Sequence, residues 1–125
     1  MGDPLELSNE IVRSYNMKDF TKLKDLFHPA LDFCHVNRGF AFTKREDLLG
    51  VLELFANRLM PDRRMQDPER VLVQGDIIVR IADWGGTAKA DIPGFAQAGE
   101  KVLITICTLM RFDAERLLVE WKDYG

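Results

Sequence analysis

The sequence VLVQGDIIVRIADWGGT, residues 71–87, places a Gly-Asp turn between two apolar runs. Both runs, residues 71–73 and 77–87, are rich in the β-branched residues that favour strands. A two-residue turn at Gly75 and Asp76 joins such runs as a hairpin. This stretch therefore predicts two antiparallel strands, of which the second is long.

A second hairpin is predicted from residues 102–112 and 117–124, which flank a polar turn. Between the two hairpins, residues 88–100 are rich in Gly, Ala and Pro, and they form either a lid over a pocket or a plain surface loop. Gly85-Gly86 near the end of the long strand offers a point at which that strand can bend. Long strands that bend predict a curved sheet.

Two helices are predicted before the strands begin. Apolar residues recur at helical spacing between Pro4 and a stop at Asn16. Asp19 has the position of an N-cap for a short second helix, which Pro29 would end. His28, directly before that proline, is more typical of a C-terminal cap than of a catalyst.

A short strand and a longer helix follow. Residues 31–36 alternate between apolar and polar, which predicts a strand, and residues 37–39 predict a turn. Thr43 and Glu46 form a capping box that begins a helix closed by Pro61. Helices first and long antiparallel strands afterwards predict an α+β fold. The expected architecture is a curved mixed or antiparallel sheet wrapped around N-terminal helices, a cystatin-like cone with an internal pocket.

Composition bounds the function classes. The 125 residues are 46% hydrophobic and 30% charged, which suits one domain spanning residues 1–125 with a core of its own. A net charge of −3 argues against nucleic-acid binding, and the charged fraction argues against a membrane span. No signal-peptide pattern stands at the N-terminus, so secretion is not expected.

The two cysteines indicate the compartment. Cys34 and Cys107 lie far apart in apolar strands, which predicts two reduced thiols and a cytoplasmic protein. Cysteine and histidine clusters with zinc-site spacing are missing from the sequence, and so are nucleotide-binding motifs. The sequence therefore predicts neither a metal nor a cofactor.

Four stretches, together with the order of the elements, resemble the SnoaL-like polyketide cyclases of the nuclear transport factor 2-like superfamily. They are LFHP at residues 26–29, TKREDLLGVL at 43–52, WGGT at 84–87 with the loop at 93–101, and LVEWKDY at 118–124. The last is the most specific. The superfamily holds cyclases, ketosteroid isomerases, limonene epoxide hydrolases, dehydratases and non-catalytic binding domains. The resemblance therefore implies a fold and a pocket, not one activity.

Asp123 is the first candidate catalytic residue. On the last strand it has the same parity as Leu117, Val119 and Trp121, which places all four on one face. A carboxylate in an apolar interior has a raised pKa and suits a general base for carbon acids. The resemblance implies the same, since the Asp of this Trp-x-Asp-Tyr stretch lies in the pocket of related families. The alternative is a solvated carboxylate paired with a nearby cation.

His35 is the second candidate catalytic residue. It shares parity with Leu31 and Phe33, and the resemblance implies a pocket histidine on this strand. With a pKa near neutrality it could relay a proton, although a lone histidine on an apolar face is more often a hydrogen-bonded core residue.

Arg80 and Asp83 lie three residues apart on the long strand and therefore on opposite faces. One of them can face the pocket, either Asp83 as a second catalytic carboxylate or Arg80 as the countercharge of an enolate or a ligand acid. Limonene epoxide hydrolases place this Arg and Asp two residues apart. The spacing here breaks that triad and argues against epoxide hydrolysis.

The expected substrate-binding side chains are mostly large and apolar. They are Trp84, Trp121, Tyr15, Phe33, Phe55, Arg80 and Met110. Aromatic residues in such stripes are also typical of ordinary core packing. Tyr15 could supply the hydroxyl that an oxyanion site of the ketosteroid isomerase type requires.

A small hydrophobic ligand is the expected partner. The leading hypothesis is a cofactor-independent enzyme, a cyclase, isomerase or aldol-type catalyst, that moves protons on a hydrophobic carbonyl compound. The alternatives are a non-catalytic binding or dimerisation domain and a scaffold that uses the open sheet face. A raised Asp123 pKa beside an empty cavity would favour the enzyme. Apolar residues on both sheet faces also predict a homodimer through the open face.

Overall fold

One seven-stranded sheet organises the computed structural model of the chain, which describes residues 3–125. Met1 and Gly2 belong to the predicted domain but lie outside the described residues. The helices are α1 (Pro4–Asn16), α2 (Phe20–Leu26) and α3 (Arg45–Leu54), and a π-helical turn (Phe55–Leu59) continues α3. The strands are β1 (Phe27–His35), β2 (Phe40–Phe42), β3 (Arg64–Met65), β4 (Arg70–Gln74), β5 (Ile77–Thr87), β6 (Lys101–Phe112) and β7 (Leu118–Tyr124).

The strands follow the order β2-β1-β7-β6-β5-β3, with β4 also paired to β5. Both predicted hairpins, β4–β5 and β6–β7, are confirmed as antiparallel pairs. The β1–β7 pair is parallel, so the sheet is mixed. The two-residue strand β3 was not predicted from the sequence, because Arg64-Met65 is too short to show a period-2 pattern.

Alternation along β5 and β6 defines the two faces of the sheet. On β6 the inward residues Ile106, Thr108 and Met110 are buried, while Leu103 and Thr105 are exposed on the outer face. Buried residues of all three helices join the inward residues in one hydrophobic core. The predicted α+β fold with helices on the concave side of the sheet is confirmed. No helix among residues 3–125 is both long and apolar enough to cross a bilayer.

Aspartate side chains cap the first two helices. Asp3 accepts a hydrogen bond from the Glu6 amide at 2.8 Å, and Asp19 accepts one from the Lys22 amide at 3.1 Å, as predicted for α2. These bonds satisfy amide groups that the first helical turn leaves unpaired.

The predicted capping box at the start of α3 is wrong. The helix follows Lys44, and no side chain caps it. Glu46 instead pairs with Arg45, whose Nε lies 2.8 Å from Glu46 Oε2. The adjacent guanidinium competes for the carboxylate that the box requires. Arg45 Nη1 also donates to the Phe27 carbonyl at 3.2 Å and thereby ties α3 to β1.

The boundary between α2 and β1 also differs from the prediction. The helix ends at Leu26, and Pro29 lies within β1, where the pairing with β7 is irregular. His28 is therefore not a helix cap; its Nδ1 accepts from the Ala30 amide at 2.9 Å. Phe27 pairs with Leu118 and is fully buried, so burial in the sheet outweighs the helical pattern.

A bulge in β7 shifts the register that parity alone assigns. Phe112 pairs with Leu118 and Arg111 with Glu120, so Val119 is an additional residue on β7. Leu118 is buried in place of the predicted Leu117 and Val119. Beyond the bulge, Trp121 and Asp123 are both buried, as predicted.

The glycine pair near the end of β5 permits close backbone approach. A Cβ atom at Gly85 would lie 2.3 Å from the carbonyl oxygen of Val102 on the neighbouring strand. A Cβ atom at Gly86 would lie 2.9 Å from the Cα atom of Arg63. Both are contacts that a side-chain carbon cannot make, so the pair is required by packing. Cys34 and Cys107 are free thiols, and both are partly buried.

Candidate functional site

Four polar side chains lie in one row across the concave face of the sheet. Arg80 on β5 is the register partner of Thr108 on β6, and Thr108 is the partner of Asp123 on β7. Asp123 is in turn the partner of His35 on β1. We refer to these four residues as the polar row. The next row is apolar and consists of Ile78, Met110, Trp121 and Phe33.

A cavity of about 110 Å³ lies over the polar row. It is of the same order as the roughly 150 Å³ cavities that admit benzene, which suits a compact ligand. Every residue predicted for the site borders it, namely Asp123, His35, Asp83, Trp84, Trp121, Tyr15, Phe33, Phe55, Arg80 and Met110. Arg38 and Thr108 border it too, although no sequence pattern pointed to them.

Asp123 is a buried carboxylate with one oxygen bound and one free. Its exposed fraction is 6%, and its Oδ1 accepts from Thr108 Oγ1 at 2.7 Å and from Trp121 Nε1 at 2.8 Å. Its Oδ2 makes no hydrogen bond to a described residue. Burial raises the pKa of Asp123 to about 6, although the two hydrogen bonds oppose the rise. At pH 7 about a tenth of the molecules therefore carry this proton.

Replacing Thr108 by Val is expected to raise the Asp123 pKa further. The substitution keeps the shape but removes a hydroxyl that stabilises the charged carboxylate. Carboxylate NMR of wild type and variant measures the change. Thr105→Val is the matched control, because Thr105 donates at 2.6 Å to Asp83 on the outer face of the sheet. An Asp123 pKa that moves equally in both variants would contradict this account.

His35 is half-buried and borders the cavity. Its Nδ1 is buried without a hydrogen-bond partner. Burial lowers the pKa of His35, and the positive charge of Arg38 lowers it further. The imidazole is therefore neutral at pH 7 and able to accept a proton.

Tyr15 presents a buried hydroxyl to the cavity from α1. Its oxygen accepts a hydrogen bond from Trp84 Nε1 at 2.8 Å, and its own proton has no acceptor among the described residues. Burial raises the pKa of Tyr15, while the Arg63 guanidinium, 4.1 Å from the ring centroid, acts in the opposite direction. The charge of Asp123 also raises the Tyr15 pKa, which places the two groups within electrostatic reach.

Asp83 borders the cavity but does not direct its carboxylate into it. That carboxylate accepts from Thr105, which is exposed on the outer face. Arg80 faces inward and is buried, so the predicted opposition of the two residues is confirmed. The assignment of Asp83 as a catalytic carboxylate therefore gains no support from the structure, since a regular strand alternates its side chains and only one of the pair can face the cavity.

An aromatic cluster covers one side of the cavity. Phe95, from the loop between β5 and β6, packs against Trp84 with ring centroids 5.9 Å apart and against Phe55 at 6.2 Å. Arg38 lies over the Phe95 ring at 5.1 Å. The loop thus contributes Phe95 to the cavity wall. In residues 3–125 no group of three or more His, Cys, Asp or Glu is placed to hold a metal ion.

No protein-family model and no curated protein matches this sequence. Solved structures do match. A candidate polyketide cyclase of Pseudomonas putida is 16% identical, with a TM-score of 0.85 over 100% of this chain and 92% of that one. A candidate SnoaL-like polyketide cyclase of Jannaschia is 16% identical, with a TM-score of 0.80 over 96% of this chain and 83% of that one.

A third structure extends the comparison. A Catenulispora acidiphila protein with a ketosteroid isomerase-like fold, solved with trimethylamine, is 18% identical. Its TM-score is 0.75 over 96% of this chain and 85% of that one. The chain has the SnoaL-like, nuclear transport factor 2-like fold. The fold that the resemblance implied is confirmed, and at these identities the likeness concerns the fold alone.

Proposed function

We propose that the protein is a cofactor-independent enzyme that moves a proton on a compact, hydrophobic carbonyl compound. The observation that carries this proposal is Asp123, a buried carboxylate on the cavity wall whose pKa lies near 6. A base with such a pKa is largely ionised at neutral pH and is stronger than an ordinary carboxylate. The fold of candidate polyketide cyclases is consistent with this chemistry.

In the proposed reaction Asp123 Oδ2 takes a proton from the carbon next to the substrate carbonyl. The electron pair of that C–H bond forms the C=C bond of an enolate, and the carbonyl oxygen becomes negative. The unshared Tyr15 proton is available to hydrogen-bond this oxygen. A donor in a water-poor site stabilises developing charge more strongly than it would in water. The enolate carbon then recovers a proton or attacks an electrophilic carbon, as a cyclase or aldol reaction requires.

His35 serves in this proposal as a second proton carrier. It is neutral at pH 7 and pairs in register with Asp123 across β1 and β7. A neutral imidazole beside the carboxylate allows a proton to leave one substrate atom and return to another.

Exchange of ketone protons tests the proposal directly. Wild-type protein in D₂O is expected to accelerate deuterium uptake by cyclohexanone or 2-indanone, followed by NMR. Asp123→Asn is expected to lose at least about a hundredfold of that rate, the usual contribution of a positioned base. The wild-type rate should rise as pH increases through about 6, because only ionised Asp123 accepts a proton.

Asp83→Asn is the control for this experiment, since its carboxylate lies on the outer face and the rate should not change. Equal exchange by wild type and Asp123→Asn, or none by either, would contradict the enzyme. The alternative of a non-catalytic binding domain would then move ahead.

We also propose a homodimer through the outer face of the sheet. Leu72 and Leu103 are more than half exposed there. The same face carries charges of both signs, in the Arg111–Glu120 ion pair, which suits a copy of the same surface. Light scattering of the protein in solution is expected to give the mass of a dimer. The mass of a monomer would contradict the proposed homodimer.

A further inference from the structure

Arg80 is a buried cation on the cavity wall without a counter-ion. Its exposed fraction is 5%, and none of the ion pairs among the described residues includes it. Burial lowers the pKa of Arg80, while the charge of Asp67 opposes that effect. An arginine nevertheless stays protonated at neutral pH. An unpaired buried charge is costly to the fold, so it is more than a packing residue.

The hydrogen bonds of Arg80 hold one end of the guanidinium and leave the other end free. Nη1 donates at 2.9 Å to Ser8 Oγ and at 2.9 Å to Asn9 Oδ1, both on α1 and both neutral. Nε and Nη2 make no hydrogen bond to a described residue, and neither is sealed in the core. These two nitrogens form the edge with which arginine binds a carboxylate through two parallel hydrogen bonds.

We propose that Arg80 binds the carboxylate of the substrate, so that the substrate is a compact hydrophobic oxo acid. That the substrate contains a carbonyl group rests on the proposed function, whereas that it contains a carboxylate rests on Arg80 alone. A carboxylate at Arg80 would supply the missing counter-charge and use the free nitrogens.

The polar row sets the length of such a substrate. Arg80 and Asp123 are separated by the strand that carries Thr108, which corresponds to roughly 10 Å between their backbones. An oxo acid along the row would place its acid group at Arg80 and its carbonyl near Asp123 and Tyr15. Its hydrocarbon part would lie on the apolar row.

Arg38 is the competing cation on the cavity wall. It is only half-buried and already lies over the Phe95 ring. Its Nε is buried without a partner, so it supplies one unsatisfied donor at the lid side. Arg80 offers two adjacent donors at greater depth and is the better carboxylate site.

Binding of matched acid and amide probes tests the proposal. The probes are phenylacetate and 3-phenylpropanoate, each compared by calorimetry with its neutral amide. Wild type is expected to prefer each acid by about tenfold or more, as charge-assisted hydrogen bonds imply. Arg80→Met is expected to remove the preference, and Arg38→Met to keep it. Equal binding of acid and amide by wild type, or no acid binding, would overturn the site, as would loss of the preference only in Arg38→Met.

Arg80→Lys keeps the proposal testable if Arg80→Met does not fold. The lysine retains the charge but lacks the pair of donors formed by Nε and Nη2, so we expect a reduced preference for the acid. An unchanged preference would contradict binding of the carboxylate through two parallel hydrogen bonds. The two proposals fail separately. If Arg80→Met loses the preference for the acid but Asp123→Asn exchanges ketone protons as fast as wild type, only the proposed enzymatic function is overturned. If wild type shows no preference for the acid but ketone exchange depends on Asp123, only the proposed carboxylate site at Arg80 is overturned.

Discussion

Asp123→Asn is expected to stabilise the protein by up to about 3 kcal/mol at pH 7.5. The folded pKa of Asp123 is about 6 and its ordinary value is 3.8, a difference that corresponds to about 3 kcal/mol. The folded chain holds this proton more tightly than the unfolded chain. The contribution of Asp123 to stability is therefore greatest below pH 3.8, falls as pH rises from 3.8 to 6, and stays low above 6. The asparagine carries no charge and avoids the loss.

Urea denaturation of wild type and Asp123→Asn between pH 4 and 8 measures this difference. The two unfolding free energies should converge near pH 4 and separate as the pH rises. Asp83→Asn, on the outer face, should follow the wild-type curve throughout. A variant less stable than wild type at pH 7.5 would mean that the charged Asp123 is well solvated or paired, and the proposed base would lose its support. The opposed effects on stability and exchange rate are typical of a strained catalytic group.

Gly85→Ala is expected to destabilise the protein by about 3 kcal/mol. The added Cβ would lie 2.3 Å from the Val102 carbonyl oxygen, which is backbone and cannot rotate away. Strands β5 and β6 must therefore move apart, as in other overpacked cores. The shift occurs next to Trp84, whose indole binds the Tyr15 hydroxyl, so ligand binding should weaken as well.

Thermal and urea unfolding of Gly85→Ala against Gly50→Ala checks this expectation. Gly50 lies on the exposed face of α3, and a Cβ atom added there would have no neighbouring atom within 4 Å. Alanine favours a helix over glycine by about 1 kcal/mol, so the control should gain stability. Equal effects at the two positions would show that β5 and β6 have freedom to separate.

Much of the site could be predicted from the sequence because side chains alternate between the two faces of a strand. The inward position of Asp123, the shared face with Trp121 and the opposition of Arg80 and Asp83 all follow from the period of a strand. Parity worked because each inference spanned only two or three residues of regular strand. It failed for Val119, because Val119 is itself the additional residue of the β7 bulge.

Contacts between distant segments could not be predicted in the same way. The polar row depends on which strands are neighbours, and the parallel pairing of β1 with β7 leaves no local pattern. Thr108 was therefore missed as the donor to Asp123, and Arg38 was missed as the cation over the Phe95 ring. The failed capping box at Glu46 shows the same limit on a small scale, because an adjacent arginine took the carboxylate.

The parallel β1–β7 pair has a consequence for the order in which the molecule is made. Strand β1 is translated before β7, yet β7 is the neighbour that completes its hydrogen bonds on one side. Until β7 has been synthesised, one edge of β1 is unpaired and apolar, which is the kind of surface that chaperones protect. His35 and Asp123 come together only when β7 pairs with β1. In a nascent chain the proposed base and the proposed second proton carrier therefore stay apart until the sheet closes.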